Sequence, residues 1–297
     1  MKDWKVAVVS LAVLGLVSCE KARVPEQDVF ARYGVDEVIK SDFLYRAGSG
    51  IRITDISGYM DADGIGTLEF CYDDERGRAH KTLYCNSIWQ YDMEFIPMDA
   101  LDSTLPLAVK KAFYGLDFEH EIGLYPDWGE RFCLVSRRGI PEPYYEFCFH
   151  EILSERNVLS NFALISEGGE VLEDSHLGFN QSDWFYDFDD ALGFISGRYP
   201  GSTVLAYANE TGNGVFYLRH EGIRKKVYFR NNYKQYGDIE FAWRETVYPL
   251  PEGMTVPQSV LEKVGDLPYS EVIRYESALE NGFGFKEGDT IVWVAEE

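Results

Sequence analysis

Positive charge is scarce in this chain. Lys and Arg number 28 against 50 Asp and Glu, a formal net charge of -22, and no Lys/Arg run relieves the imbalance. Such a field repels phosphate backbones and anionic headgroups, which excludes nucleic acid as a partner. Histidine is equally sparse: His80, His120, His150, His176 and His220 are scattered, with no His-Glu-x-x-His and no pair at ligand spacing. No metal and no cofactor are therefore expected. A Gly-x-Ser-x-Gly elbow is missing, and "AGSGIR" lacks the third glycine of a nucleotide loop. Asp61, Asp63, Gly66 and Glu69 mimic part of a calcium loop, but Ile65 and Tyr72 occupy two positions that need oxygen ligands; a strand-to-strand turn explains the same letters. "DFDD" at Asp187 to Asp190 reads as carboxylates favouring the helix start they precede.

A bilayer-spanning run is also missing from this stretch: Val6 to Val17 is apolar but for Ser10 and Gly15, behind the basic lead of Lys2 and Lys5, and is too short to cross. It reads as the core of a signal peptide. The exit, Leu16-Val17-Ser18-Cys19, resembles the bacterial lipobox. The resemblance implies that residues 1–18 are removed and that Cys19 carries lipid, with 19–26 as a linker. Each buried acyl methylene contributes about 0.8 kcal/mol, so two or three chains would hold the protein in a bacterial cell envelope. The leaflet, periplasmic or surface, is left open, and ordinary secretion with a chance cysteine is the alternative.

Aromatic residues abound: 20 Tyr, 19 Phe and 6 Trp. Most sit in alternating, strand-like contexts and are expected in cores and cross-strand pairs; any surplus would form a recognition face, for which Trp89, Trp128, Trp184 and Trp243 are the candidates. Four cysteines remain besides Cys19. Cys71 and Cys85 flank one turn and Cys133 and Cys148 another, so each pair is placed to bridge a hairpin; two disulfides or four buried thiols fit the sequence.

Self-comparison shows a recurring order. Residues 67–113 read as strand, turn, strand, a strand led by Trp89, then a helix opened by Pro106. Residues 215–264 repeat it with Trp243 and Pro257. Proline suits a first helical position, with Ser103, Thr104 or Thr255 as caps. Leu107, Val109, Ala112 and Phe113, or Val260, Leu261 and Val264, would then form the packed faces. A further helix is expected through Ile195, ending in a turn at Tyr199-Pro200-Gly201. "EQDVFARYGVDEVIKSDF" is placed to hold the first. The fold class expected is α+β: tandem helix-plus-antiparallel-sheet units, two within 27–183 and two within 184–297.

The lipobox, the Trp-led strands and the helices "LPLAVKKAF" and "VPQSVLEKV" resemble the PepSY-like, beta-lactamase-inhibitor-protein-like (BLIP-like) lipoproteins of Bacteroidetes. The resemblance covers most of residues 65 to 297. It implies binding of a protein on a concave sheet and assigns no contact residue. The expected function is thus a lipid-anchored envelope module that binds a protein or peptide and is not an enzyme. A glycan-binding accessory lipoprotein is the alternative, and a hydrolase using two carboxylates a third reading.

Overall fold

The computed structural model describes residues 29–60, 66–116, 121–123, 131–154, 157–175, 188–210, 213–230, 242–288 and 290–296. Cys19, Trp128 and Trp184 lie outside them, as do Asp61, Asp63 and His120. The architecture is α+β, dominated by antiparallel strands with few, short helices. The chain divides into two compact units, residues 1–95 and 96–297. The boundary expected near Trp184 falls inside the second unit, at the place in the chain where the strands before it and the strands after it belong to different sheets.

The first unit contains α1 (Val29–Arg32), α2 (Glu37–Ala47) and the meander β1 (Arg52–Met60), β2 (Gly66–Asp73), β3 (Ala79–Cys85) and β4 (Ile88–Phe95). Helix α2 starts where Asp36 accepts the Val38 N–H at 2.7 Å, satisfying one orphan donor of the first turn. Ile39 and Phe43, one turn apart, face the sheet. Phe43 stacks on Phe70 with ring centroids 4.3 Å apart and meets Tyr72 edge-on. At the helix C-terminus the Arg46 guanidinium lies 4.2 Å from the centre of the Trp89 ring.

On the same sheet face, His80 Nδ1 is 3.1 Å from Asp92 Oδ2 and Nε2 is 3.7 Å from Asp74. Asp92 also accepts the Tyr72 and Thr82 hydroxyls; Arg78 pairs with Asp74 and Glu94. Burial alone would lower the His80 pKa, but Asp92, Glu94 and Asp74 leave it raised. A proton held more tightly in the folded chain stabilises the fold below the unfolded value of about 6.5, and that contribution is lost as pH rises through the folded value. Asp74 runs the other way. Burial would raise it, yet the Arg78 backbone and side chain hold it at about 2, so its contribution is present above its ordinary value and lost as pH falls towards 2. Wild type is therefore expected to lose stability relative to His80→Gln as pH rises from 5 to 9; parallel melting curves for the two would contradict this linkage.

The second unit opens with a 3₁₀ turn (Met98–Ala100), α3 (Leu101–Thr104) and α4 (Leu107–Phe113). Strands β5 (Glu121–Gly123), β6 (Arg131–Arg137), β7 (Tyr144–Ser154), β8 (Asn157–Ser166) and β9 (Val171–Ser175) follow. The long β7 pairs with β6 near its start, with β5 near its end, and with β8 throughout; β9 pairs with β8. Val109 and Phe113 of α4 pack into a core with Phe132, Phe147, Phe149 and Ile165. Then come α5 (Phe188–Arg198), β10 (Thr203–Glu210), β11 (Asn213–His220), β12 (Ile223–Arg230), β13 (Ala242–Pro249), α6 (Gln258–Val264), β14 (Glu271–Ser277), β15 (Asn281–Glu287) and β16 (Thr290–Ala295). These seven strands form one antiparallel sheet in sequence order. Phe188 of α5 packs on Tyr207 and Phe216, and Phe194 on Phe229 and Trp243. Val260 and Val264 of α6 meet Phe283 and Phe285. The buried Tyr144 hydroxyl donates to the Tyr207 carbonyl at 3.1 Å, one of the bonds joining the two parts of this unit.

Two expectations are corrected. Pro106 and Pro257 precede their helices by one residue, and their carbonyls accept the first helical N–H groups. No side chain caps either helix, because proline, with no side-chain acceptor, holds the capping place; Thr104 closes α3 instead. Leu107 is 67% exposed and does not join the packed face. Of the two readings the sequence left open for the four cysteines, the structure has thiols: Cys85, Cys133 and Cys148 are buried, Cys71 is half-buried, and all four are free. Register explains it: Lys81 stands opposite Cys71, Thr67 opposite Cys85, Glu146 opposite Cys133 and Arg131 opposite Cys148. Each candidate pair is thus displaced along the ladder. Thiol titration in denaturant without reductant is expected to detect Cys71, Cys85, Cys133 and Cys148; two bridges would leave none. In the native chain Cys71 should label slowly at pH 8, since burial and then Glu69 push its thiol up to about 11.

Candidate binding groove on the seven-stranded sheet

One face of the seven-stranded sheet is covered by α5 and α6. The other is the floor of a groove of about 500 Å³, walled on one side by β9. Register builds the floor in rows. Tyr217, Lys226, Val247, Tyr275, Gly282 and Ala295 stand side by side across β11 to β16. Pro249, Ile273, Gly284 and Trp293 form the next row, and Glu271, Lys286 and Ile291 the one beyond. Tyr228 and Glu245 lie on the opposite flank of the first row.

The sequence "GFGF" of β15 explains the shape. Alternate residues of a strand point to opposite faces, so Phe283 and Phe285 go to α6 while Gly282 and Gly284 go to the groove. Their missing side chains leave room that aromatic rings fill: a Cβ on Gly282 would stand 2.4 Å from Tyr275 Cε1, and one on Gly284 2.7 Å from both Trp293 Cζ3 and Ile273 Cγ1. The Trp293 ring thus lies across bare backbone, with Tyr275 edge-on to it at 5.1 Å. Glycine in a strand permits this close approach. Although held from below, Trp293 remains 47% exposed.

Charges are distributed unevenly around this floor. Glu173, 8% exposed, accepts the Tyr217 hydroxyl at 2.8 Å and pairs with Lys226. Lys286 stands 3.9 Å from Glu271. Arg224 donates to the Val171 carbonyl and lies 3.7 Å from Glu170. Glu245 makes no ion pair among the described residues. Burial, and then the hydrogen bond from its hydroxyl to Glu280, raises the Tyr275 pKa, and the charge of Glu245 adds to the shift.

On the helix-covered face a second polar cluster closes the C-terminus of α5. Arg198 lies 4.2 Å from the centre of the Trp243 ring and donates to Glu276 at 2.8 Å; Tyr248 donates to the same carboxylate and Tyr199 to Thr246. Burial would raise Glu276, but the bonds from Tyr248 and Arg198 hold it low. Lys225 lies over the Tyr248 ring, its pKa lowered by burial.

Of the four tryptophans expected to form a recognition face, Trp128 and Trp184 lie outside the described residues, and Trp89 and Trp243 pack against arginines. Trp89 and Trp243 are half-buried beneath Arg46 and Arg198, and Trp243 donates to Thr246 at 3.1 Å. Neither lines the groove. Trp293, not singled out from the sequence, does. Its signal was available in the alternation of glycine and phenylalanine in "GFGF", which pairs with "IVWVA".

No protein-family model matches the chain. No curated protein matches it either. Solved structures similar to it include a DUF2874 family protein from Bacteroides uniformis (11% identity, 48% of this chain and 88% of the other, TM-score 0.33). A second DUF2874 family protein, from Bacteroides ovatus, has 13% identity, covering 52% and 94%, with TM-score 0.33. A BLIP-like protein from Bacteroides fragilis has 16% identity, covering 52% and 97%, with TM-score 0.35.

Proposed function

We propose that this protein is a lipid-anchored, non-catalytic module of the bacterial cell envelope that presents the seven-stranded sheet's groove to a protein or peptide. The observation carrying this reading is Trp293: a half-exposed indole held over Gly284 in a concave surface. Large, rigid aromatics in such settings supply most of the binding energy of protein interfaces. The groove's most deeply buried carboxylate, Glu173, is engaged by Tyr217 and Lys226, an arrangement suited to holding a wall in place.

A tandem construction fits the same reading. The run α2 to β4 and the run α5 to β13 share element order, and each stacks its helix's C-terminal arginine on the tryptophan at the head of the fourth strand. Each also carries a register irregularity between its first two strands and between its last two. We read them as copies of one helix-plus-meander unit, with α4 to β9 and α6 to β16 as further variants.

A photo-crosslinking residue at position 291, introduced in cells, is expected to capture a discrete polypeptide, and Gly284→Val to abolish capture. No adduct above background would overturn the reading. An exposed Trp293 also suits sugar stacking; binding on a glycan array that depends on Trp293, with no polypeptide captured, would favour that alternative. Anchoring is checked separately: Cys19→Ser should abolish acyl labelling and release the protein from membranes.

A further inference from the structure

Among the described residues the groove floor leaves one carboxylate, Glu245, outside any ion pair, while Lys225, which also borders the groove, turns its ammonium over the Tyr248 ring towards the helix-covered face. Lys226 is neutralised by Glu173, Lys286 faces Glu271, and Arg224 is directed at the Val171 carbonyl and Glu170. Glu245 stands on the floor with no cation among the described residues, one row from Tyr275, which in turn touches Trp293. The whole chain carries a net charge of -22, so the long-range field draws in cationic partners and repels acidic ones. An indole is also the best aromatic surface for an ammonium or guanidinium group. The rest of the floor, Val247, Ile273 and Ile291, is apolar and suits the side chains between charges.

Taking the groove as a polypeptide-binding site, we propose that its occupant is an extended segment rich in Lys or Arg. One cationic side chain lies over Trp293 and another pairs with Glu245, while an intervening apolar residue sits on Val247 and Ile273. The carboxylate supplies charge recognition and the indole supplies a contact that tolerates either basic residue.

The test uses the detergent-solubilised full chain and a displayed library of random dodecapeptides, with Trp293→Leu as the counter-selection. Groove-dependent peptides are expected to be enriched in Lys and Arg. Synthetic versions in which the selected basic residue becomes norleucine should bind about tenfold more weakly. Glu245→Gln should erase part of that difference and flatten the salt dependence. Because Glu245 is a half-buried residue outside any ion pair among the described residues, Glu245→Gln should fold even if Trp293→Leu does not, and it keeps the readout. Groove-dependent peptides without basic enrichment, or norleucine versions that bind equally, would overturn this inference and leave the binding reading standing. If no groove-dependent peptide emerges, the binding reading falls, and this inference with it.

Discussion

Phe113→Ala is expected to destabilise the protein by about 3–5 kcal/mol, the range for removing a fully buried aromatic ring from a packed core. The ring is completely inaccessible and lies within 6 Å, centroid to centroid, of Phe132, Phe147 and Phe149. Two strands and a short helix are thus joined through one side chain. A helix the length of α4 has little stability of its own, so its position depends on this contact and the neighbouring Val109. Leu107→Ala, on the exposed side of the same helix, is the control and should change stability by no more than about 0.5 kcal/mol. Urea melts followed by near-ultraviolet circular dichroism measure both. Similar losses for the two variants would mean that α4 is not held as described.

Gly284→Val is expected to leave the fold standing and disable the groove. In an open strand the exchange would be favourable, since valine suits strands and glycine does not. Here the new Cβ would stand 2.7 Å from Trp293 and from Ile273, and relieving such overpacking costs about 1–3 kcal/mol. The two effects nearly offset in stability, while the indole must leave its place. If Trp293 anchors the partner with the 2 kcal/mol or more typical of such residues, affinity should fall at least thirtyfold, roughly. Melting curves, tryptophan fluorescence and crosslinking at position 291 separate the outcomes. Unchanged capture together with a shifted indole emission would remove Trp293 from the site.

Why the groove was hidden while much of the fold was legible follows from the range of the forces involved. Pro106 and Pro257 restrict the backbone locally and mark the start of α4 and α6 within one residue. Asp74 organises its hairpin by accepting the Arg76 and Arg78 N–H groups at 2.8 Å, a bond between near neighbours. Trp89 and Trp243 head strands as their alternating contexts imply. The pairing of Cys71 with Cys85, by contrast, depends on a register settled over whole strands, and symmetry about a turn does not reveal an offset along the ladder. The placement of Trp89 and Trp243 away from the groove has a similar reason: each meets an arginine distant in sequence, from the end of the preceding helix.

The sequence alone determined the scarcity of basic charge, the helix starts, the hairpin turns and the alternating strand pattern, because each arises from composition or from residues a few positions apart. Only the tertiary structure decided which face of "GFGF" is covered and which is open, and hence that Trp293 is exposed over a groove. Period-two alternation divides a strand into two faces but carries no information about which face a helix will cover; that is settled by α6 burying Val260 and Val264 against Phe283 and Phe285, leaving the glycine side free for the aromatic rings.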